Sequence, residues 1–152
     1  MLGRYAQPTV NSIYSNLTLK YTELNQDIIN IRTAVFIEEQ GFKNEFDETD
    51  ENCFHIVLYD KNKAVATARY FVENDIYHIG RVAIIKEYRG LHIGNKIMQI
   101  LEDEIKKDGG KKIQLSAQVR VSNFYKKNGY SKIGEIYFDE YCEHITMEKT
   151  LN

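Results

Sequence analysis

The chain of 152 residues has no tryptophan, one proline, two cysteines and four histidines. Two thiols, Cys53 and Cys142, are too few for a disulfide framework or a cysteine-rich zinc site. Neither His-Glu-x-x-His nor Cys-x-x-Cys occurs, so no metal is expected. A Gly-x-Ser-x-Gly nucleophile elbow is also missing. No run approaches the roughly 18 apolar residues of a membrane helix, and the start MLGRYAQPTV lacks the apolar stretch of a secretory signal. Basic residues are not in excess: 20 Lys and Arg stand against 22 Asp and Glu, a net charge of −2. A basic footprint for nucleic acid is therefore lacking. These absences read as a cytoplasmic protein that binds neither nucleic acid nor membrane.

What is present suits one folded domain. Hydrophobic residues make up 43% and charged residues 28%, and the length lies within the roughly 100–150 residues typical of a single core. Residues 1–16 show no period and read as an arm of unknown role, and 17–152 as one domain. Residues 17–20 alternate as a short strand, while Leu24, Ile28, Ile31 and Val35 recur at helical spacing and predict a helix over 24–39 ended by Gly41. His55–Tyr59 and Ala64–Val72 read as a hairpin, followed by a strand over 76–85 that is apolar on both faces and so central in its sheet. Ile93, Ile97, Leu101 and Ile105 mark the buried stripe of a second helix, stopped at Gly109-Gly110. A strand over 112–116, a short helix over 122–128 and two strands, 131–138 and 142–149, complete the order β-α-β-β-β-α-β-α-β-β. The fold class is α/β with a mixed sheet.

Charge is uneven along this order. Between Glu38 and Glu51 lie seven acids and one base, a local −6 that leaves +4 for the rest. The segment reads either as a solvated loop or as a field that draws a cationic substrate. It is not a calcium loop, because Asn52 and Leu58 stand where a loop starting at Asp47 needs Gly and Glu.

The most informative segment follows the central strand. In Arg89-Gly-Leu-His-Ile-Gly94 a turn leads into a helix starting near Gly90 or Leu91. The first N–H groups of that helix have no internal partners, and the helix dipole adds positive charge there. Glycines let a phosphate approach the backbone, with Arg89, Lys96 and Lys86 nearby as cations. The segment is either an anion cradle or a helix start whose glycines merely permit a tight turn. The P-loop spacing fails by one residue, and Asn95 stands where its Lys belongs; the dinucleotide Gly-x-Gly-x-x-Gly is absent.

Taken with its neighbours, this loop resembles the Arg/Gln-x-x-Gly-x-Gly/Ala pyrophosphate loop of the GNAT superfamily of acyl-CoA-dependent N-acyltransferases. Ala117–Tyr130, which contains Asn123-Phe-Tyr125 and Gly129-Tyr130, resembles the family's second signature. Val35-Phe-Ile-Glu-Glu-Gln40, the acidic segment and Glu143-His-Ile-x-Met147 resemble its ElaA-like bacterial subgroup. The resemblance spans about residues 17–150 and implies a largely antiparallel central sheet flanked by helices. It implies acetyl-CoA as co-substrate and a small-molecule amine as acceptor, with a homodimer left open.

It also implies roles. Backbone groups of Val82, Ala83 and Ile84 would pair with the pantetheine arm as an added strand does. Arg89, Gly90, Leu91, His92, Ile93, Gly94 and Asn95 would hold the pyrophosphate. Gln118 would contact the cofactor arm, and Tyr125 would protonate the departing thiolate, a task suited to a phenol that keeps its proton at neutral pH. Two positions depart from the family: His92 replaces the central Gly of the loop, and Gly80 stands where many members carry a carboxylate base. Glu39, His144 and His78 are the candidates for that base, and of these His78, like His55, reads rather as structural. The alternative to an enzyme is a non-catalytic acyl-CoA-binding or interaction module.

Overall fold

A computed structural model of the chain describes residues 18–152. The arm over 1–16 and residue 17 lie outside the described residues. Strand β1 is Thr18–Tyr21, helix α1 Gln26–Arg32, β2 Phe54–Asp60, β3 Lys63–Glu73 and β4 Ile76–Ile84. Helix α2 is Ile93–Lys107, β5 Lys112–Gln118, α3 Ser122–Lys127, β6 Ser131–Asp139 and β7 Cys142–Thr150. The seven strands form one sheet in the order β1-β2-β3-β4-β5-β7-β6. β4 is fourth of the seven, as its two apolar faces imply. β1 runs antiparallel to β2, β4 parallel to β5, and β7 antiparallel to both β5 and β6.

The chain divides into two compact units, one ending at Arg69 and resuming over Arg81–Gln99, the other comprising Tyr70–Gly80 and Ile100–Asn152. In the first, Asn25 caps α1 by accepting from the N–H of Ile28 at 2.9 Å. The helix does not stay α-helical over the predicted span: Thr33–Glu39 continues it as a wider π-helix. Gly41, left-handed at φ 79°, ends it, and the N–H of Phe42 returns to the carbonyl of Phe36 at 2.9 Å. Ile28, Ile31 and Val35 are buried, as are Ile56, Val57 and Leu58 of β2, Val65 and Ala66 of β3, and Ile93, Ile97 and Met98 of α2. Each of these side chains larger than alanine contributes about 1.5–3 kcal/mol by leaving water.

In the second unit Leu101 and Ile105 complete the α2 stripe, and Ile113, Leu115, Ile145 and Met147 supply the sheet face. Gly110 follows α2 where a side chain would collide with Ile105 and the Tyr77 ring, which explains the second of the paired glycines. β6 is an edge strand exposed along its whole length, with a register shift between Ile133 and Tyr137 of the kind that blunts edges.

Candidate active site

The loop after β4 is built by local conformation. Lys86–Tyr88 form a 3₁₀ turn, and Tyr88 is buried with its hydroxyl donating to Asp60. Gly90 then adopts φ 81° and His92 φ 60°. Left-handed residues cannot belong to a right-handed helix, so α2 starts at Ile93 rather than at Gly90 or Leu91. Its first internal bond runs from the N–H of Lys96 to the carbonyl of His92 at 3.1 Å. The N–H groups of Ile93, Gly94 and Asn95 precede that bond, as at any helix start. Nothing lies within 4 Å of the position a Gly90 Cβ would take, so open space adjoins the backbone there. These features fit a pyrophosphate. At φ 60° a glycine would sit free of strain, whereas the histidine at position 92 bears a strain of about 1–2 kcal/mol.

Arg89 is fixed on two sides. Its Nε donates to the carbonyl of Ile84 at 3.0 Å, and its Nη1 and Nη2 donate to the two carboxylate oxygens of Glu39 at 2.8 and 2.7 Å. That fork holds Glu39 below its ordinary carboxylate range. Just before Val82, Ala83 and Ile84 the backbone of β4 departs from regular strand geometry, because Arg81 takes φ 53° inside the strand.

Two of the seven acids of the acidic segment, Glu45 and Asp50, are buried, while Glu38, Glu39, Asp47, Glu48 and Glu51 are exposed. Arg32, fully buried, donates through Nε to Glu45 at 2.7 Å and through Nη1 to Asp50 at 2.6 Å. Arg69 bonds Asp47 at 2.8 Å and Asp50 at 2.7 Å through one nitrogen, and Arg81 reaches Glu45 at 3.1 Å and Asp47 at 3.3 Å. Hydrogen bonds and charge from Arg32 and Arg69 overcome burial and hold Asp50 at about 2, whereas burial raises Glu45 despite its arginines. Three of the seven acids thus bond three arginines, Glu45 and Asp50 away from solvent and Asp47 at the surface. The solvated-loop reading holds for the five exposed acids, and Glu45 and Asp50 are the exceptions, held in the interior by arginines.

Asp50, Cys53 and His55 bring ligand atoms within 4.8 Å of one another. Their chemistry does not favour a cation: both guanidiniums already bond Asp50, and burial pushes the Cys53 thiol up to about 11. His55 donates from Nε2 to the Asp50 carbonyl at 3.0 Å. His78 stacks on Phe71 with ring centroids 4.9 Å apart.

In the second unit Tyr125 lies on α3, edge-on to Phe124 and Tyr130 at 5.0 and 6.1 Å. Tyr130 is anchored by a hydrogen bond from its hydroxyl to Glu102 at 2.9 Å, but among the described residues none is formed by the Tyr125 hydroxyl. Burial pushes the Tyr125 phenol up to about 12. Gln118 stands opposite His144 in the β5–β7 register and accepts from Arg120 at 3.0 Å. His144 is buried, and its Nδ1–H donates to the carbonyl of Cys142 at 3.0 Å. In the neutral ring this places the basic lone pair on Nε2. Tyr137, which the sequence does not single out, stacks on His144 and hydrogen-bonds Ser116. A family model described as an acetyltransferase (GNAT) domain matches residues 21–151.

The chain belongs to the GNAT acetyltransferase family.

A Bacillus subtilis (strain 168) protein whose name proposes an acetyltransferase is 36% identical over 124 residues, 78% of this chain and 84% of the relative. Escherichia coli ElaA has a similar structure, with TM-score 0.77 and 27% identity, covering 88% of this chain and 99% of ElaA. A GNAT acetyltransferase from Elizabethkingia anophelis, solved with acetyl-CoA bound, matches with TM-score 0.71 at 12% identity over 90% of this chain and 98% of its own. The fold is accordingly the mixed GNAT sheet, and the family chemistry is acyl transfer from acetyl-CoA. No helix among the described residues is long and apolar enough to cross a membrane.

Proposed function

We propose that this GNAT protein transfers the acetyl group of acetyl-CoA directly to the amine of a small acceptor. The observation that carries the reading is the loop from Arg89 to Asn95, with left-handed Gly90 and His92 ahead of a helix start. Acetyl-CoA supplies the activated thioester. The chain's own groups bind and move protons. The N–H groups of Ile93, Gly94 and Asn95, with Arg89 and Lys96, hold the pyrophosphate. Backbone groups of Val82, Ala83 and Ile84 pair with the pantetheine arm and polarise the carbonyl, and Gln118 contacts the arm.

Tyr125 keeps its proton across the physiological range and gives it to the sulfur as the thiolate departs. The base is His144, acting from Nε2, because Arg89 engages both oxygens of Glu39 and its hydrogen bonds lower the carboxyl's pKa, which makes Glu39 a weak proton acceptor. His144→Gln is expected to lower kcat by about 10²–10⁴-fold with acetyl-CoA affinity near wild type; unchanged turnover would remove the assignment. Glu45, Asp47 and Asp50 bond arginines of the protein itself, whereas the exposed Glu38, Glu48 and Glu51 are the acids that would favour a cationic acceptor.

The first test is calorimetric titration of acetyl-CoA into the protein, with Gly94→Asp as the control that brings a carboxylate to the helix start. Saturable binding that is lost in a still-folded Gly94→Asp variant supports the reading. Absence of binding by folded wild type rejects the coenzyme site. Binding without turnover against a broad amine panel leaves the non-catalytic acyl-CoA module as the better description.

A further inference from the structure

We infer that Glu39 is a positioning residue for the coenzyme loop, acting through Arg89, and not the base of the reaction. The inference rests on the reading of Arg89–Asn95 as the pyrophosphate site. Glu39 is the last residue of the π-helix, where the helix dipole is negative and a carboxylate is disfavoured. Lys86 lowers the carboxyl's pKa further, beyond the Arg89 fork. Both carboxylate oxygens are used, in the fork-to-fork geometry that fixes a guanidinium's plane as well as its position.

The loop has reason to be held. Two of its residues are left-handed and one of these is His92, so the conformation is costly unless the surroundings impose it. Three anchors do so: Tyr88 to Asp60, Arg89 to the carbonyl of Ile84, and Arg89 to Glu39. The last is the only one of the three that spans from the end of the first helix to the loop. Of the five N–H donors of Arg89, the bonds to Ile84 and Glu39 use three. Two remain for an anionic oxygen, on a side chain that would otherwise give up about 2 kcal/mol of rotamer freedom on binding. The pair is partly exposed, Arg89 at 41% and Glu39 at 34%, so its worth to global stability is small. Its effect belongs to the loop.

The experiment is acetyl-CoA titration of the wild type, Glu39→Gln, Arg89→Gln and the double variant, with the Tm of each. Glu39→Gln is expected to weaken acetyl-CoA binding about 3–10-fold with Tm nearly unchanged. The double variant is expected to bind no worse than Arg89→Gln alone, because Glu39 has no route to the coenzyme except through Arg89. Wild-type or tighter binding by Glu39→Gln would overturn the inference, the second by making Glu39 a competitor of the phosphates. Losses that multiply in the double variant would overturn it too. With an acceptor in hand, Glu39→Gln raises KM for acetyl-CoA and spares kcat; a fall in kcat with loss of the acid limb would restore Glu39 as the base. Failure of the wild type to bind acetyl-CoA rejects the loop reading itself and is distinguished from all of these.

Discussion

Tyr125→Phe is expected to lower turnover by about 10²–10⁴-fold, the usual contribution of a positioned general acid, while acetyl-CoA affinity stays within about twofold of wild type. The substitution removes one oxygen from a ring whose remaining contacts are edge-on to Phe124 and Tyr130, so packing is conserved. No hydrogen bond of the described fold is lost, since the hydroxyl forms none there. The phenol is pushed up to about 12 by burial, against about 8.5 for a free thiol. It therefore stays protonated at every pH where the enzyme works, and the donated proton is replaced from solvent between turnovers. Paired measurements of kcat, with an amine returned by the acceptor panel, and of coenzyme Kd decide the matter. Equal loss of both would make Tyr125 a packing or binding residue; loss of neither would make it incidental.

Arg32→Met carries the largest expected effect on stability, a loss of about 3–5 kcal/mol, because it leaves buried carboxylates facing a neutral side chain. That is a large part of the roughly 5–15 kcal/mol holding a domain together. Arg32 bonds both Glu45 and Asp50 and lies over the Phe46 ring at 4.7 Å, so charge and packing fail together. Denaturant unfolding of the variant measures it, and a loss below about 1 kcal/mol would show that Arg69 and Arg81 suffice alone.

The same cluster sets a pH dependence. The folded pKa of Asp50 lies at about 2, below its ordinary 3.8. The stability it contributes is complete above pH 3.8 and disappears as pH falls towards 2. Asp47 is shifted the same way and Glu45 the opposite way. Wild-type Tm should therefore drop between about pH 4 and 2, and Arg32→Met should flatten that drop by letting Asp50 return towards its ordinary value.

Much of this was legible in the sequence because it is local. A stripe at Ile93, Ile97, Leu101 and Ile105 can only be buried if the segment is helical, and all four are at most 1% exposed. Paired glycines, turn residues and a two-faced apolar strand mark boundaries and centrality by the same short-range rules, so the element order was determined before any contact was known. The loop from Arg89 to Asn95 was legible for that reason too: a strand, a glycine turn and a helix start are one continuous segment. Even Arg32 left a trace, four residues beyond Ile28 on the buried face of α1, although nothing local says which acids it meets.

Partner choice belonged to the tertiary structure alone. Glu39 and Arg89 are 50 residues apart, and Arg32 and Asp50 are 18 apart; a charged side chain's chemistry permits many partners, and only packing selects one. The acidic segment shows the consequence. Its charge was plain in the sequence, but whether a carboxylate faces solvent or a buried guanidinium depends on the strands that carry Arg69 and Arg81. The left-handed backbone of His92 and Arg81 was equally hidden, since side chains at positive φ are adopted only where surrounding contacts impose the strain.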